Sequence, residues 1–318
     1  AFGFNHAESI RSFRAAQTLD PTCAMCFWGE ALATGPNINV TSNGKAIMAP
    51  DERASARAAI DQALALMDDV SPKEQDWIRA LDQRYDGHAD TPRDPLDRAW
   101  ANALADMASR YPNDTTVASV YAEALMNTMP WDYWGPNGEA KPDTQAVIAS
   151  LEAVMVADPD HPLALHLYIH ALEASSNAEK AEPAADRLAN LVPGSGHLVH
   201  MPSHIYFRVG RYQDSALANI RAAEVDEAYI AQCNAQGFYP ALYYPHNIHF
   251  LWASATMQGQ SALSLDSARR VVANVRVEQV EQFPTIQFFR TVLSHLPRSV
   301  PASRHVSCRC TPHPQRME

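Results

Sequence analysis

The stretch IYFRVGRYQDSALANIRAAEVD (residues 205–226) has the pattern of two helices joined by a tight turn. Its second half is alanine-rich, with apolar residues three and four positions apart, as in an amphipathic helix. Helices of this kind recur along the chain, and strand patterns are nearly absent. In five earlier places the helix is followed by a proline, which cannot continue it. These segments are IRSFRAAQTLDP, AIDQALALMDDVSP, WANALADMASRYP, VIASLEAVMVADP and AADRLANLVP, with Pro21, Pro72, Pro112, Pro159 and Pro193.

The five segments share a register as well as a composition. The residues eight and five positions before each proline are all apolar, as expected where one helix packs on a partner. A step equal to the interval from Pro159 to Pro193 leads from Pro193 to Glu227, directly after residues 205–226. That interval matches the period, about 34 residues, of a known class of helix–turn–helix repeat. The chain is therefore predicted to hold about six helical hairpins with insertions of unequal length.

These hairpins resemble tetratricopeptide repeats. The segments FWGEALATG (27–35) and 205–226 match best, and Gly210-Arg211-Tyr212 resembles the usual turn between the two helices of a repeat. No helix carries the full W-x2-L-G-x2-Y signature. The resemblance implies an all-α, right-handed superhelical solenoid of tetratricopeptide-like helix–turn–helix repeats over residues 1–275. Residues 276–318 are expected to form a C-terminal helix and an atypical tail.

Three insertions interrupt the predicted repeats at 35–50, 83–95 and 128–142. Each follows the first helix of a repeat. Insertions in solenoids collect on one face, which is often the binding face. Trp131 in the third insertion is a candidate to cover a groove there, although packing of long loops onto the solenoid would also explain such aromatic residues.

A column of polar residues recurs at one position of the first helices. In tetratricopeptide folds these helices line the concave groove, so the column resembles the lining of a ligand groove. Charged groups in an apolar core are very costly without partners, so we expect these side chains to face water or a ligand. The column consists of Glu30, Arg79, Glu123, His170, His204 and His249.

Two histidine pairs give the most specific indication of chemistry. His166 and His170 are four positions apart, as are His200 and His204, and the second pair follows the first at the repeat interval. Residues four apart share one helix face. The pairs should therefore project from neighbouring helices toward a common space, where imidazoles can bind Zn, Cu or Fe. Hydrogen-bonded groove residues without a ligand are the simpler alternative. His197 is a further candidate ligand, Glu173 could orient His170, and Pro202 is expected to interrupt the helix that carries the second pair.

Two functions follow from these patterns. The first is a scaffold that binds a protein, a peptide or a small ligand in a polar, histidine-rich groove. The alternative is a metal-binding protein or metal-dependent enzyme, with His166, His170, His200 and His204 as ligands of a divalent transition metal. The chain contains no nucleophile elbow, P-loop, H-E-x-x-H or dinucleotide fingerprint, so neither a nucleotide nor a catalytic residue is predicted.

The amino-acid composition argues against two kinds of partner, nucleic acids and membranes. The net charge of −11 disfavours nucleic-acid binding, which requires a basic surface, and no apolar run is long enough to cross a membrane. Cys23 and Cys26 form a C-x-x-C that lacks the histidine of a haem attachment site, and we interpret them as two half-buried thiols. The natural chain is expected to begin before Ala1, and a solenoid end left bare there can promote self-association. Resemblance to uncharacterised bacterial tetratricopeptide proteins implies an exported, periplasmic location.

Overall fold

The computed structural model describes residues 1–42, 45–235 and 237–295. The predicted atypical tail lies mostly in 296–318, outside the described residues. Two two-residue strands, Thr41–Ser42 and Lys45–Ala46, pair antiparallel within the first insertion. The other elements of the described ranges are helical. The α-helices are α1 (His6–Leu19), α2 (Ala24–Thr34), α3 (Pro50–Ala65), α4 (Pro72–Asp82), α5 (Arg93–Arg110), α6 (Thr115–Thr128), α7 (Pro142–Ala157), α8 (Pro162–Leu172), α9 (Glu182–Leu188), α10 (Gly196–His200), α11 (Pro202–Arg208), α12 (Tyr212–Cys233), α13 (Tyr244–Met257), α14 (Ser261–Asn274) and α15 (Val277–Gln282).

Helices pack mainly on their neighbours in sequence. From α2 to α9 each helix contacts the next one along the chain, and the pattern continues from α11 to α14. Alternate helices also touch, as α2 touches α4 and α6 touches α8, and α8 further touches α11. The prediction of an all-α chain whose helices pack in succession is confirmed.

The shared register of the second helices identifies much of the core. Where α5, α7 and α9 approach their prolines, both predicted apolar positions of each helix are buried. The first helix of each hairpin packs on these side chains, so the spacing reflects burial of apolar area, which is the main favourable term in folding. The six buried side chains are Leu104, Met107, Leu151, Val154, Ala185 and Leu188.

The prolines act in two ways. Pro21, Pro112 and Pro159 each lie just beyond a helix end, as predicted. Pro72 was wrongly assigned to a helix end, because it is the first residue of α4. Proline suits that position, where the missing N–H has no partner within the helix. Ser71 caps α4 by accepting a hydrogen bond from the Glu74 N–H.

The turn predicted at residues 210–212 is present. Helix α11 ends at Arg208, and α12 begins at Tyr212. Gly210 has φ of +84°, a left-handed conformation that glycine adopts without the steric cost of a side chain. The two helices therefore reverse direction within a tight turn and pack against each other.

Cys23 and Cys26 are joined by a disulfide at the start of α2, so the interpretation of the pair as thiols was wrong. Cys23 is the residue that precedes the helix, and Cys26 lies in its first turn. One helical turn brings the two side chains onto the same side, where the bond closes a very short loop.

Segments distant in sequence meet at the middle of the chain. The backbone oxygen of Phe2 accepts a hydrogen bond from His166 Nδ1 at 2.9 Å. Glu8 of α1 accepts one from the hydroxyl of Tyr229 in α12 at 3.4 Å. The first residues of the chain therefore lie against helices that belong to its later predicted hairpins.

The three segments predicted as insertions are connections between successive helices. They connect α2 to α3, α4 to α5 and α6 to α7. Within the second, Arg84 and Arg93 are buried and both donate hydrogen bonds to Asp97, while Arg84 also donates to the Pro36 carbonyl of the first insertion at 2.9 Å. This buried charge network fixes the first two insertions to each other.

Candidate metal centre

The first histidine pair lies on α8, which is buried along almost its whole length. Every residue from Leu163 to Leu172 is buried, so this stretch has no solvent-facing side. Pro162 starts the helix, and the His161 side chain caps it by accepting from the Ala164 N–H. A helix surrounded by other helices must place its polar side chains against protein, and His166 and His170 do so from successive turns.

The second pair spans a helix break. Helix α10 ends at His200 and α11 begins at Pro202, because proline has no N–H to continue the ladder of helical hydrogen bonds. Met201 between them keeps right-handed helical dihedral angles, with φ −49° and ψ −40°. The break predicted at Pro202 is therefore confirmed, but His200 and His204 remain on adjacent turns with their Nε2 atoms 2.9 Å apart.

Histidines from three regions form two groups of three. In one, the ligand atoms of His166, His170 and His197 all lie within 4.8 Å of one another. In the other, those of His200, His204 and His246 satisfy the same limit. We call them the first and the second triad. Each could hold a metal ion. The rings of His170 and His204 connect the triads, with centroids 5.3 Å apart.

Hydrogen bonds determine which nitrogen of each key ring carries the proton. The Nδ2 of Asn219 donates to the Ser215 carbonyl at 2.7 Å, which turns its Oδ1 toward His200 Nδ1 at 2.6 Å. A carboxylate oxygen of Glu173 lies 2.6 Å from His204 Nδ1. Both acceptors require a proton on Nδ1, and the Nε2 atom of each ring is directed toward the Nε2 of the other.

The first triad is arranged in the same way. The Phe2 carbonyl accepts from His166 Nδ1, and Glu173 accepts from His170 Nδ1 at 2.7 Å. The Nε2 of His166 lies 3.2 Å from the Nε2 of His197. The Nε2 of His170 and the Nδ1 of His197 are buried without a hydrogen-bond partner, which is costly for a polar atom. The Nε2 of His170 is therefore available to a ligand.

Burial keeps most of these rings neutral. Removal from water lowers the pKa of His166, His197, His200 and His246 well below the usual value, and their mutual repulsion as cations lowers it further. Burial also lowers the pKa of His170. Neutral imidazole is the form that coordinates metals, so at neutral pH these rings need not lose a proton before binding one.

Glu173 is an acidic residue that contacts both triads. Burial opposes its ionisation, but electrostatic attraction to His204 and hydrogen bonds with His170 and His204 outweigh burial and hold its pKa well below the usual range. One oxygen accepts from His170 and the other from His204. The sequence suggested that Glu173 orients His170, and the structure adds His204.

Aromatic side chains cover the histidines. Phe4 lies 4.5 Å from His166 between ring centroids, and Trp131 of the third insertion meets the ring of His170 edge-on at 5.0 Å. Phe250 contacts the His204 ring at 4.5 Å. Such walls keep water away and strengthen electrostatic interactions inside.

Two members of the predicted groove column have partners elsewhere. Glu30 is buried and accepts hydrogen bonds from Arg14 and Gln17 of α1. Arg79 is exposed and donates to Gln75 of its own helix. Neither side chain reaches the triads.

Two more predicted groove residues also lie apart from the triads. Burial raises the pKa of Glu123, which lines a small cavity together with His6 and Arg84. His249 packs against Phe288 and Phe289 near the C-terminal end of the described chain. The column therefore contributes only His170 and His204 to the candidate site.

Sequence reasoning did not select every histidine of the two triads. His246 was not among the predicted ligands, and it follows a stretch of π-helix at Tyr239–Tyr243 that disrupts the register. Asn219, which fixes the His200 tautomer, carried no signal in the sequence. His197 could be noted because it stands one helical turn before His200.

The comparisons with known proteins assign no family. No protein-family model matches the chain, and a search of curated proteins finds no significant relative. Among the described residues, no helix is both long and apolar enough to cross a membrane. Proposals about function therefore rest on the geometry of the triads.

Proposed function

We propose that this protein binds a divalent transition metal through buried histidines, on a right-handed solenoid of tetratricopeptide-like repeats. The observation that carries the proposal is the contact between His200 and His204. Their Nε2 atoms lie 2.9 Å apart, and their Nδ1 atoms donate to Asn219 and Glu173, so both Nε2 atoms are directed toward the position that a shared ion would occupy. A metal ion at that position would accept a lone pair from each ring.

The distances suit coordination by imidazole. Two nitrogens bound at about 2.0–2.1 Å in a tetrahedral site are separated by roughly 3.3 Å. The Nε2 pairs within the triads lie 2.9, 3.2 and 3.5 Å apart. An all-nitrogen set favours Zn, Cu, Fe or Ni over Ca or Mg, which prefer oxygen. Asn219, Glu173 and the Phe2 carbonyl orient the rings in the way that partners of metal-bound histidines usually do.

Burial favours this function over a peptide-binding groove. His166, His170, His200 and His204 are at most 6% exposed, and aromatic residues cover them. A peptide could not reach these rings without displacing Phe4 or Trp131. Binding of a protein or peptide elsewhere on the array is the second proposal, based on the resemblance to tetratricopeptide repeats alone.

Metal analysis of the untagged protein tests the proposal. The wild type, purified without chelator, should contain Zn, Cu, Fe or Ni in at least equimolar amount by mass spectrometry. A fourfold variant (His166→Ala, His170→Ala, His200→Ala and His204→Ala) should lose metal while its far-ultraviolet circular dichroism stays helical. His88→Ala is the matched control because His88 is exposed. Wild-type protein that stays metal-free after incubation with each ion, or equal metal loss in the control, would overturn the proposal.

A further inference from the structure

The two histidine triads have separate sets of ligands. His166, His170 and His197 come from α8 and α10, whereas His200, His204 and His246 come from α10, α11 and α13. The two sets share no member. Each set alone offers the three protein ligands that zinc sites with an exchangeable fourth position use. Six imidazoles in one contact cluster therefore exceed what a single tetrahedral ion requires.

Glu173 connects the two sets. Its Oε1 accepts a hydrogen bond from His170 of the first triad, and its Oε2 accepts one from His204 of the second. A carboxylate behind a metal-bound imidazole fixes the ring and makes it a stronger donor to the metal. Here one carboxylate serves one ring of each triad, so a change at Glu173 reaches both sites at once.

From this arrangement we propose that the protein holds two metal ions, one in each triad, linked through the carboxylate of Glu173. This inference rests on the proposed metal-binding function and specifies its stoichiometry and coupling. Each ion has three imidazole ligands, and its fourth position is open to water or a small anion. The apolar walls formed by Phe4, Trp131 and Phe250 limit the size of that fourth ligand.

The two sites differ in access. All three histidines of the first triad are buried, whereas His246 of the second is only partly buried. Release of an ion requires solvent or a chelator to reach its ligands. The ion in the second triad should therefore leave faster, and the first triad should retain its ion longer.

Stoichiometry tests the inference. Titration of metal-free full-length protein with Co²⁺ or Zn²⁺, followed by calorimetry and by metal analysis after desalting, should give two ions per chain. His166→Ala and His246→Ala should each reduce the number to one. A chromogenic chelator should remove the two ions of the wild type in two phases, and His246→Ala should lack the fast phase.

The linking role of Glu173 has its own test. Glu173→Gln should weaken both sites by about 10- to 100-fold, the usual effect of removing such a partner. Glu179→Gln, at a nearby exposed glutamate, is the control and should bind as the wild type does. If Glu173→Gln is too unstable to purify, the two single-histidine variants still decide the stoichiometry.

The outcomes separate this inference from the proposed function. One ion per chain in the wild type would refute the two-metal centre and leave metal binding intact. No bound ion would refute both. Two ions with only one of them weakened by Glu173→Gln would refute the link through the carboxylate.

Discussion

His170 and His204, which occupy the same position in successive predicted repeats, meet with their ring centroids 5.3 Å apart and share the two oxygens of Glu173. They project from α8 and α11, which contact each other in neighbouring hairpins. Two residues one repeat interval apart in the sequence are therefore neighbours in the structure. Any ion held by one ring lies close to a ligand of the other triad.

Metal should stabilise the fold measurably. An ion that binds only the folded chain adds about 2.7 kcal/mol to the free energy of unfolding when its free concentration is about 100 times the dissociation constant. Thermal unfolding of the metal-free protein should therefore shift to higher temperature on addition of Zn²⁺. The fourfold variant of His166, His170, His200 and His204 should show a much smaller shift, and His88→Ala should retain the whole of it. Identical shifts in all three proteins would argue against a specific site.

Acid should destabilise the metal-free protein through its buried histidines. Burial lowers the folded-state pKa of His166, His197, His200 and His246 below the unfolded value near about 6.5. Below that pH the unfolded chain takes up protons that the folded chain cannot, so the free energy of unfolding falls as pH falls. Urea unfolding at pH 7.5, 6.5 and 5.5 should show this loss. His200→Ala should lessen it, and an unchanged pH slope in that variant would contradict the assignment.

Asp226 should have the opposite pH dependence. It is buried, and removal from water raises its pKa to about 7, although it accepts hydrogen bonds from Tyr239 and Asn247. Between the unfolded pKa near about 4 and the folded pKa, the folded chain binds the extra proton, so this group's contribution to stability is lost as pH rises through 7. Asp226→Asn should therefore gain stability relative to wild type between pH 5 and pH 8, by a few kcal/mol on the order of the pKa shift. A constant difference between the two proteins across that range would show that Asp226 is ionised in the fold.

Removal of one member of the buried charge network should strongly destabilise the fold. Asp97 is 1% exposed and accepts hydrogen bonds from Arg84 and Arg93, which are also buried. Asp97→Ala leaves two buried guanidinium groups without their counter-ion, which typically costs about 3–5 kcal/mol. Asp94→Ala removes an exposed partner of Lys45 and should cost less than about 1 kcal/mol. Chemical denaturation of both variants measures the difference, and equal losses would mean that burial of Asp97 is unimportant.

The all-α architecture could be predicted from the sequence because helices that pack in succession bury apolar residues at a regular spacing. The apolar positions at Leu104, Leu151 and Ala185 mark one face in successive second helices, and these three side chains are buried. The proline signal was less specific, since proline stops one helix and starts another equally well. Pro72 illustrates this ambiguity.

The candidate site could be predicted only where the repeat is regular. His166, His170, His200 and His204 follow the repeat interval, and the structure brings all four together. The separation of His246 from His204 is longer than that interval and includes a π-helical stretch, so the repeat does not reach it. Phe2 and Phe4 contact the site from the far end of the sequence, and no local pattern encodes such a contact.

Contact between distant parts of the array has a mechanical consequence. Open solenoids fray from their ends, because each repeat touches only its neighbours. Here hydrogen bonds join the early hairpins to later ones. They link Phe2 to His166, Glu8 to Tyr229 and Asn39 to Tyr243. Separation of the first hairpin from the later helices would at the same time expose the imidazoles to solvent. The protein should consequently unfold in a single cooperative transition. Loss of its bound ions should indicate that these long-range hydrogen bonds have broken.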